Sequence, residues 1–120
     1  MTSYFNEERL FSLADQHSSS YQSNTPFPFI VIDNFLDETL LTSVADAFPT
    51  PADFEFYKYE NPLEKKLAFD QVSKLPIPIK NILTEMNSSL FLTFLEKLTG
   101  IDGLISDPYY RGGGIHQIVP

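Results

Sequence analysis

The sequence predicts an α+β chain, a helical layer that gives way to strands near the carboxyl end, and three observations carry that expectation. Apolar residues recur at helical spacing through Leu40, Leu41, Val44, Ala45 and Phe48, and again from Ile79 to Leu98. Phe29-Ile30-Val31-Ile32 is a continuous β-branched and aromatic run of the kind that makes a buried strand. After Gly103 the pattern changes, with a turn at Asp107-Pro108, the glycines 112–114, and a strand over Ile115 to Val119. The 120 residues are read as a single partial domain. Residues 1–102 form a mainly helical support with a lead-in strand at about 28–33, and residues 103–120 begin the β structure.

Taken in order, Asn6 followed by Glu7 and Glu8 starts a short helix, since acidic side chains favour the positive end of the dipole and Leu10, Leu13 and Ala14 share one face. The helix is expected to run out in Ser18-Ser19-Ser20 and the polar stretch to Asn24. Pro26 and Pro28 hold the backbone extended into the lead-in strand. Asp37 is a good N-cap for a second helix, which Pro49 and Pro51 stop. Phe54, Phe56, Tyr57 and Tyr59 alternate with charges like an edge strand, and Asn61-Pro62 marks a turn. Leu75-Pro76-Ile77-Pro78 delays the next helix until about Pro78; Ile79, Ile82, Leu83 and Met86 then form its stripe. Asn87-Ser88-Ser89 breaks and recaps the chain, Leu90, Phe91, Phe94, Leu95 and Leu98 form the next stripe, and Gly100 closes it. These last two helices are expected to pack as a hairpin.

Composition narrows the function classes. Apolar content of 42%, with 11 Phe and 6 Tyr, suffices for a core and argues against a disordered tail. Sixteen acidic against eight basic residues give a net charge of -8, which repels phosphate backbones and excludes nucleic acid as an expected direct partner. With no cysteine there is neither a disulfide framework nor a thiolate metal site. The amino-terminal residues lack a secretory pattern and no apolar stretch is long enough to span a bilayer, so the expected location is cytoplasmic, away from membranes.

Residue types that carry chemistry are few. Of the two histidines, His17 reads as a solvated residue at a helix end, and neither His17 nor His116 has a carboxylate two residues on. His116 lies on a strand beside glycines, where a side chain can face a cavity or make a structural hydrogen bond. Gly112 to Gly114 precede a strand and no lysine-serine pair, so they fit a bulge better than a phosphate cradle. Asp33, Asp37 and Glu38 are accounted for by capping and solvation, and no Gly-x-Ser-x-Gly nucleophile signature is present. Spacing alone shows a scaffold, with no catalytic residue and no metal ligand.

Two segments together carry a resemblance. Pro26-Phe27-Pro28-Phe29-Ile30-Val31-Ile32-Asp33-Asn34-Phe35-Leu36, then Leu95-Glu96-Lys97-Leu98-Thr99-Gly100-Ile101 through Asp107-Pro108-Tyr109-Tyr110-Arg111-Gly112-Gly113-Gly114-Ile115-His116-Gln117, resemble the amino-terminal region of iron(II)- and 2-oxoglutarate-dependent dioxygenases of the prolyl-hydroxylase-like group. The resemblance covers nearly the whole chain, weakly between residues 50 and 75. It implies a double-stranded β-helix, or jelly roll, of which residues 103–120 would supply the first strands. It further implies iron held by a His-x-Asp pair and a distal histidine, with a basic residue pairing with 2-oxoglutarate. In the family pattern those residues follow the Gly-Gly-Gly-x-His-Gln strand, so the chain is expected to be truncated before the metal-binding motif and to bind neither iron(II) nor 2-oxoglutarate by itself. Arg111, His116, Gln117 and Ile118 are the pocket-lining candidates; by alternation His116 and Ile118 share one face and Gln117 takes the other.

The expected activity of the full-length protein is hydroxylation of an amino-acid side chain, prolyl or another, in a peptide, protein or amino-acid substrate. The alternative is a non-catalytic binding or assembly module derived from that family, self-associating through an exposed C-terminal strand near Ile115 to Val119.

Overall fold

The computed structural model describes residues 4–48, 57–61, 64–69, 75–108 and 115–118. Their elements, in chain order, are helices α1 (Glu7–Ser23) and α2 (Glu38–Asp46), strands β1 (Tyr57–Asn61) and β2 (Glu64–Phe69), helices α3 (Ile77–Met86) and α4 (Ser89–Thr99), and strand β3 (Ile115–Ile118). Phe54, Phe56, Arg111, the glycines 112–114 and Val119 lie outside the described residues.

Helix α1 begins as its sequence dictates: the Asn6 side chain accepts a hydrogen bond from the Arg9 amide at 3.0 Å. Leu10 and Ala14 are fully buried one turn apart. The helix does not stop at the serines, however, but runs 17 residues to Ser23. Two effects carry it through. Ser23 returns its hydroxyl to the Ser19 carbonyl at 2.8 Å and Gln22 donates to the Ser18 hydroxyl at 3.0 Å, so these polar groups bond within the helix. Tyr21 packs against the core and anchors the last turn.

The expected lead-in strand at 28–33 is corrected. Residues 29–32 join no ladder. Ile30 and Ile32 pack half-buried on the helices, while Val31 between them is 74% exposed. The run is therefore one-sided: period-two alternation lays one face on a helical layer, and helices, having no unpaired ladder groups, offer no hydrogen-bonded neighbour. Phe35 and Leu36 continue the packing, with the Phe35 ring 5.7 Å from both Phe5 and Phe94.

Asp37 caps α2 by accepting from the Leu40 amide at 3.4 Å. Pro76 precedes α3, and Pro78 sits in its first turn, where a missing amide proton costs nothing. Ser88 caps α4, and Gly100 ends it at φ 77°, the left-handed conformation glycine adopts without strain. The expected α3–α4 hairpin is corrected as well: α4 lies chiefly along α1 and touches α3 far less. The main core joins Phe5, Leu10 and Ala14 to Phe91, Phe94 and Leu98. Each large apolar side chain fully buried there contributes roughly 1.5–3 kcal/mol. A second, smaller core holds Leu75, Ile79 and Ile115, with Val44, Ala47, Phe48 and Leu83 around it.

The described strands form one antiparallel sheet in the order β1-β2-β3, with Tyr59 opposite Lys66 and Ala68 opposite His116. This overturns the jelly-roll expectation. The described residues are mostly helical, they contain one small sheet in place of the first strands of a double-stranded β-helix, and the 28–33 strand is missing from it. Ile30, Ile32, Phe35 and Leu36 are taken up by the main core with α1 and α4, and the segment joins no sheet.

Candidate functional site

Three of the four pocket-lining candidates, His116, Gln117 and Ile118, fall on β3. Ile115 is 7% exposed and packs on Leu75 and Ile79, so this strand is fastened to the second core through its first residue. His116, the next residue, turns to the opposite face and is exposed. Gln117 and Ile118 stand at the register positions of Leu67 and Lys66. Arg111 lies outside the described residues, so the four candidates are not seen together in a pocket. His17 sits within α1, half-buried, rather than at a helix end.

Among the described residues the donor set does not fit an iron centre. The chain has two histidines, one on α1 and one on β3, and no group of three His, Cys, Asp or Glu side chains that could hold a metal occurs among the described residues. Asp37 and Glu38 serve the start of α2, as capping predicts.

The structure does contain a cleft of about 540 Å³ between the start of α1 and the start of α2. Tyr4, Phe5, Phe35, Leu36 and Leu40 give it apolar walls, and Arg9, Asp37 and Glu38 give it charge. Arg9 is committed to structure: its two terminal nitrogens donate to the carbonyls of Phe35 and Asn34, and its guanidinium lies 6.0 Å over the Phe35 ring. Asn34 has φ 55°, a left-handed turn that an asparagine tolerates and that presents its carbonyl to Arg9. With the Asp37 carboxylate capping α2, these side chains build the cleft rather than offer it reactive groups.

Several side chains that organise this region were not found by reading spacing. Glu85 accepts the Tyr4 amide at 2.9 and 3.0 Å, and Tyr4 donates its hydroxyl to the Pro78 carbonyl at 3.1 Å. Glu96 accepts the Gly103 and Leu104 amides at 2.6 and 3.3 Å. Asn87 and Asp107 exchange two hydrogen bonds, at 2.7 and 3.0 Å. Each is a side chain meeting backbone at a distance in sequence, and no local pattern announces it.

No helix among the described residues is long and apolar enough to cross a membrane. Comparison with protein-family models, with curated proteins and with solved structures found no match for this chain.

Proposed function

We propose that this chain is the amino-terminal part of an iron(II)- and 2-oxoglutarate-dependent dioxygenase that hydroxylates an amino-acid side chain, and that residues 1–120 are catalytically incomplete. One observation supports this reading beyond the motifs themselves. The two segments that carry the resemblance are distant in sequence yet share one core: Ile30, Ile32, Phe35 and Leu36 of the first pack with Leu95 and Leu98 of the second. Two motifs that serve one supporting layer would be expected to meet in this way. In the family's pattern the metal ligands and the 2-oxoglutarate anchor follow the Gly-Gly-Gly-x-His-Gln strand, so no step of the reaction is assigned to the residues present. Their role in this reading is to brace the residues that follow His116.

The proposed activity couples oxidative decarboxylation of 2-oxoglutarate, to succinate and carbon dioxide, with hydroxylation of a C–H bond in a peptide, protein or amino acid. The absence of cysteine and the charge of -8 favour a cytoplasmic enzyme that does not engage nucleic acid directly. The test is the encoded sequence after residue 120 and the full protein made from it. A His-x-Asp pair, a distal histidine and a basic residue, together with iron-dependent succinate release, support the reading; their absence removes it.

A second reading, a non-catalytic assembly module, draws on the position of β3, which has β2 on one side and no second neighbour among the described residues. It expects a sharp thermal transition of the 120-residue chain, indifferent to iron(II) and 2-oxoglutarate, and a dimeric mass in solution. A monomer with a broad melt excludes it.

A further inference from the structure

The cleft of about 540 Å³ at the starts of α1 and α2 falls within the size range of ligand sites, roughly 300–1,000 Å³. Tyr4, Phe35, Leu36 and Leu40 wall it with half-buried apolar surface. That surface is set in advance: the Phe35 ring lies against Phe5 and Phe94, and Arg9 grips the Asn34 and Phe35 carbonyls. An incoming side chain meets a seat that needs little further ordering. Charge decides what the seat accepts. Two helix starts border the cleft, which by itself would favour an anion, but their first turns are already answered. Asn6 and Asp37 cap the Arg9 and Leu40 amides, and Glu7, Glu8 and Glu38 place carboxylates in the same turns. The two segments that line the cleft, residues 4–9 and 33–40, carry five carboxylates against one guanidinium. Glu38 is exposed, and its carboxylate makes no bond to the described residues. Anions are repelled from this rim and cations are drawn to it.

From this pairing of apolar walls with an acidic rim we infer that the cleft docks a basic peptide segment of a partner protein. One apolar side chain of the segment fills the cleft, and lysines or arginines beside it lie along Glu38 and Asp37. The seated apolar group supplies affinity, as an anchor in a preformed pocket does. The charges supply selectivity and speed the encounter. Arg9, spent on backbone carbonyls, holds the wall in shape and does not contact the ligand's charge. The inference concerns binding by this chain alone and does not depend on the proposed function.

Titration of the isotope-labelled 120-residue chain with three capped hexapeptides, followed by NMR amide shifts, tests it. The peptides are KKFLKK, its acidic counterpart EEFLEE, and KKSGKK, which keeps the charge and lacks the anchor. KKFLKK is expected to bind at least about tenfold tighter than either of the others and to move amides of residues 4–9 and 33–40. Its affinity is expected to fall as salt is raised from about 50 to about 500 mM. Glu38→Lys is expected to weaken KKFLKK at least about fivefold. Asp102→Lys makes the same charge change two residues past Gly100, which neighbours Gln22 at the far end of α1, and is expected to alter affinity less than about twofold. Should Glu38→Lys disturb the start of α2, the pair Glu38→Gln and Asp102→Asn is expected to give the same order at smaller amplitude. No binding of KKFLKK, no preference for it over KKSGKK, shifts scattered outside the cleft, or equal losses at positions 38 and 102 would each overturn the inference.

Discussion

Replacing Phe35 by alanine probes how the 29–36 segment is seated. Its ring lies 5.7 Å from Phe5, 5.7 Å from Phe94 and 6.4 Å from Phe91, with Arg9 above it. Truncating a fully buried phenylalanine costs about 3–5 kcal/mol. Phe35 is only half-buried, which scales the expected loss to about 2–3 kcal/mol, aromatic pairing included. For a chain of this length that loss lowers the melting midpoint by roughly 6–15 °C. Val31→Ala, on the outward side of the same segment, is expected to stay within about 0.5 kcal/mol of the parent. Urea titrations followed by far-ultraviolet circular dichroism give both values, read from the midpoints at constant slope. Equal costs for the two variants, or a loss below about 1 kcal/mol for Phe35→Ala, would mean that the segment does not lay its Ile30, Ile32 and Phe35 side on the helices, and the reasoning would fail.

Gly100→Ala is expected to cost about 1 kcal/mol or more, because φ is 77° and an added Cβ meets the Gln22 side chain at 3.1 Å; a thermal melt measures it. Arg9→Lys keeps the charge but cannot span two carbonyls with a planar fork, and a loss on the order of 1 kcal/mol in denaturant titration is expected, with chemical-shift changes confined to residues 33–37. Ile79→Ala, at 2% exposure, is expected to cost about 2–4 kcal/mol and to loosen β3, seen as faster amide exchange at Ile115.

Helix starts were the most legible features, because a cap is local chemistry, whereas α1 ran on past the serines expected to end it. Asn6, Asp37 and Ser88 each accept an amide three residues on, and Gly100 takes the left-handed conformation anticipated for it. What spacing could not supply was the partner of each apolar face. The stripe Phe91, Phe94 and Leu98 reads the same whether α3 or α1 covers it, and α1 does. The run 29–32 satisfied a strand's composition, yet composition is silent on whether another strand or a helix lies alongside. Of the residues that suggested an edge strand, Phe54 and Phe56 lie outside the described residues while Tyr57 and Tyr59 are in β1; β2, with Glu64, Lys65 and Lys66 followed by Leu67, Ala68 and Phe69, gave no clear alternation. For the candidate site, His116 and its strand were placed by the glycine-to-strand pattern, whereas Arg9, Asn87 and Glu96 act through backbone partners far enough away that periodicity is blind to them.

The extended run 29–32, with Val31 facing solvent, is open to sticking to other chains, and the residues around it bound that hazard. Pro26 and Pro28 have no amide proton and cannot donate to an intruding chain, and at the other end the chain turns at Asp33 and Asn34. The open register is therefore four residues long, short of the six or seven that a steric zipper uses. The apolar stretch thus offers an intruding chain a shorter register than a steric zipper uses.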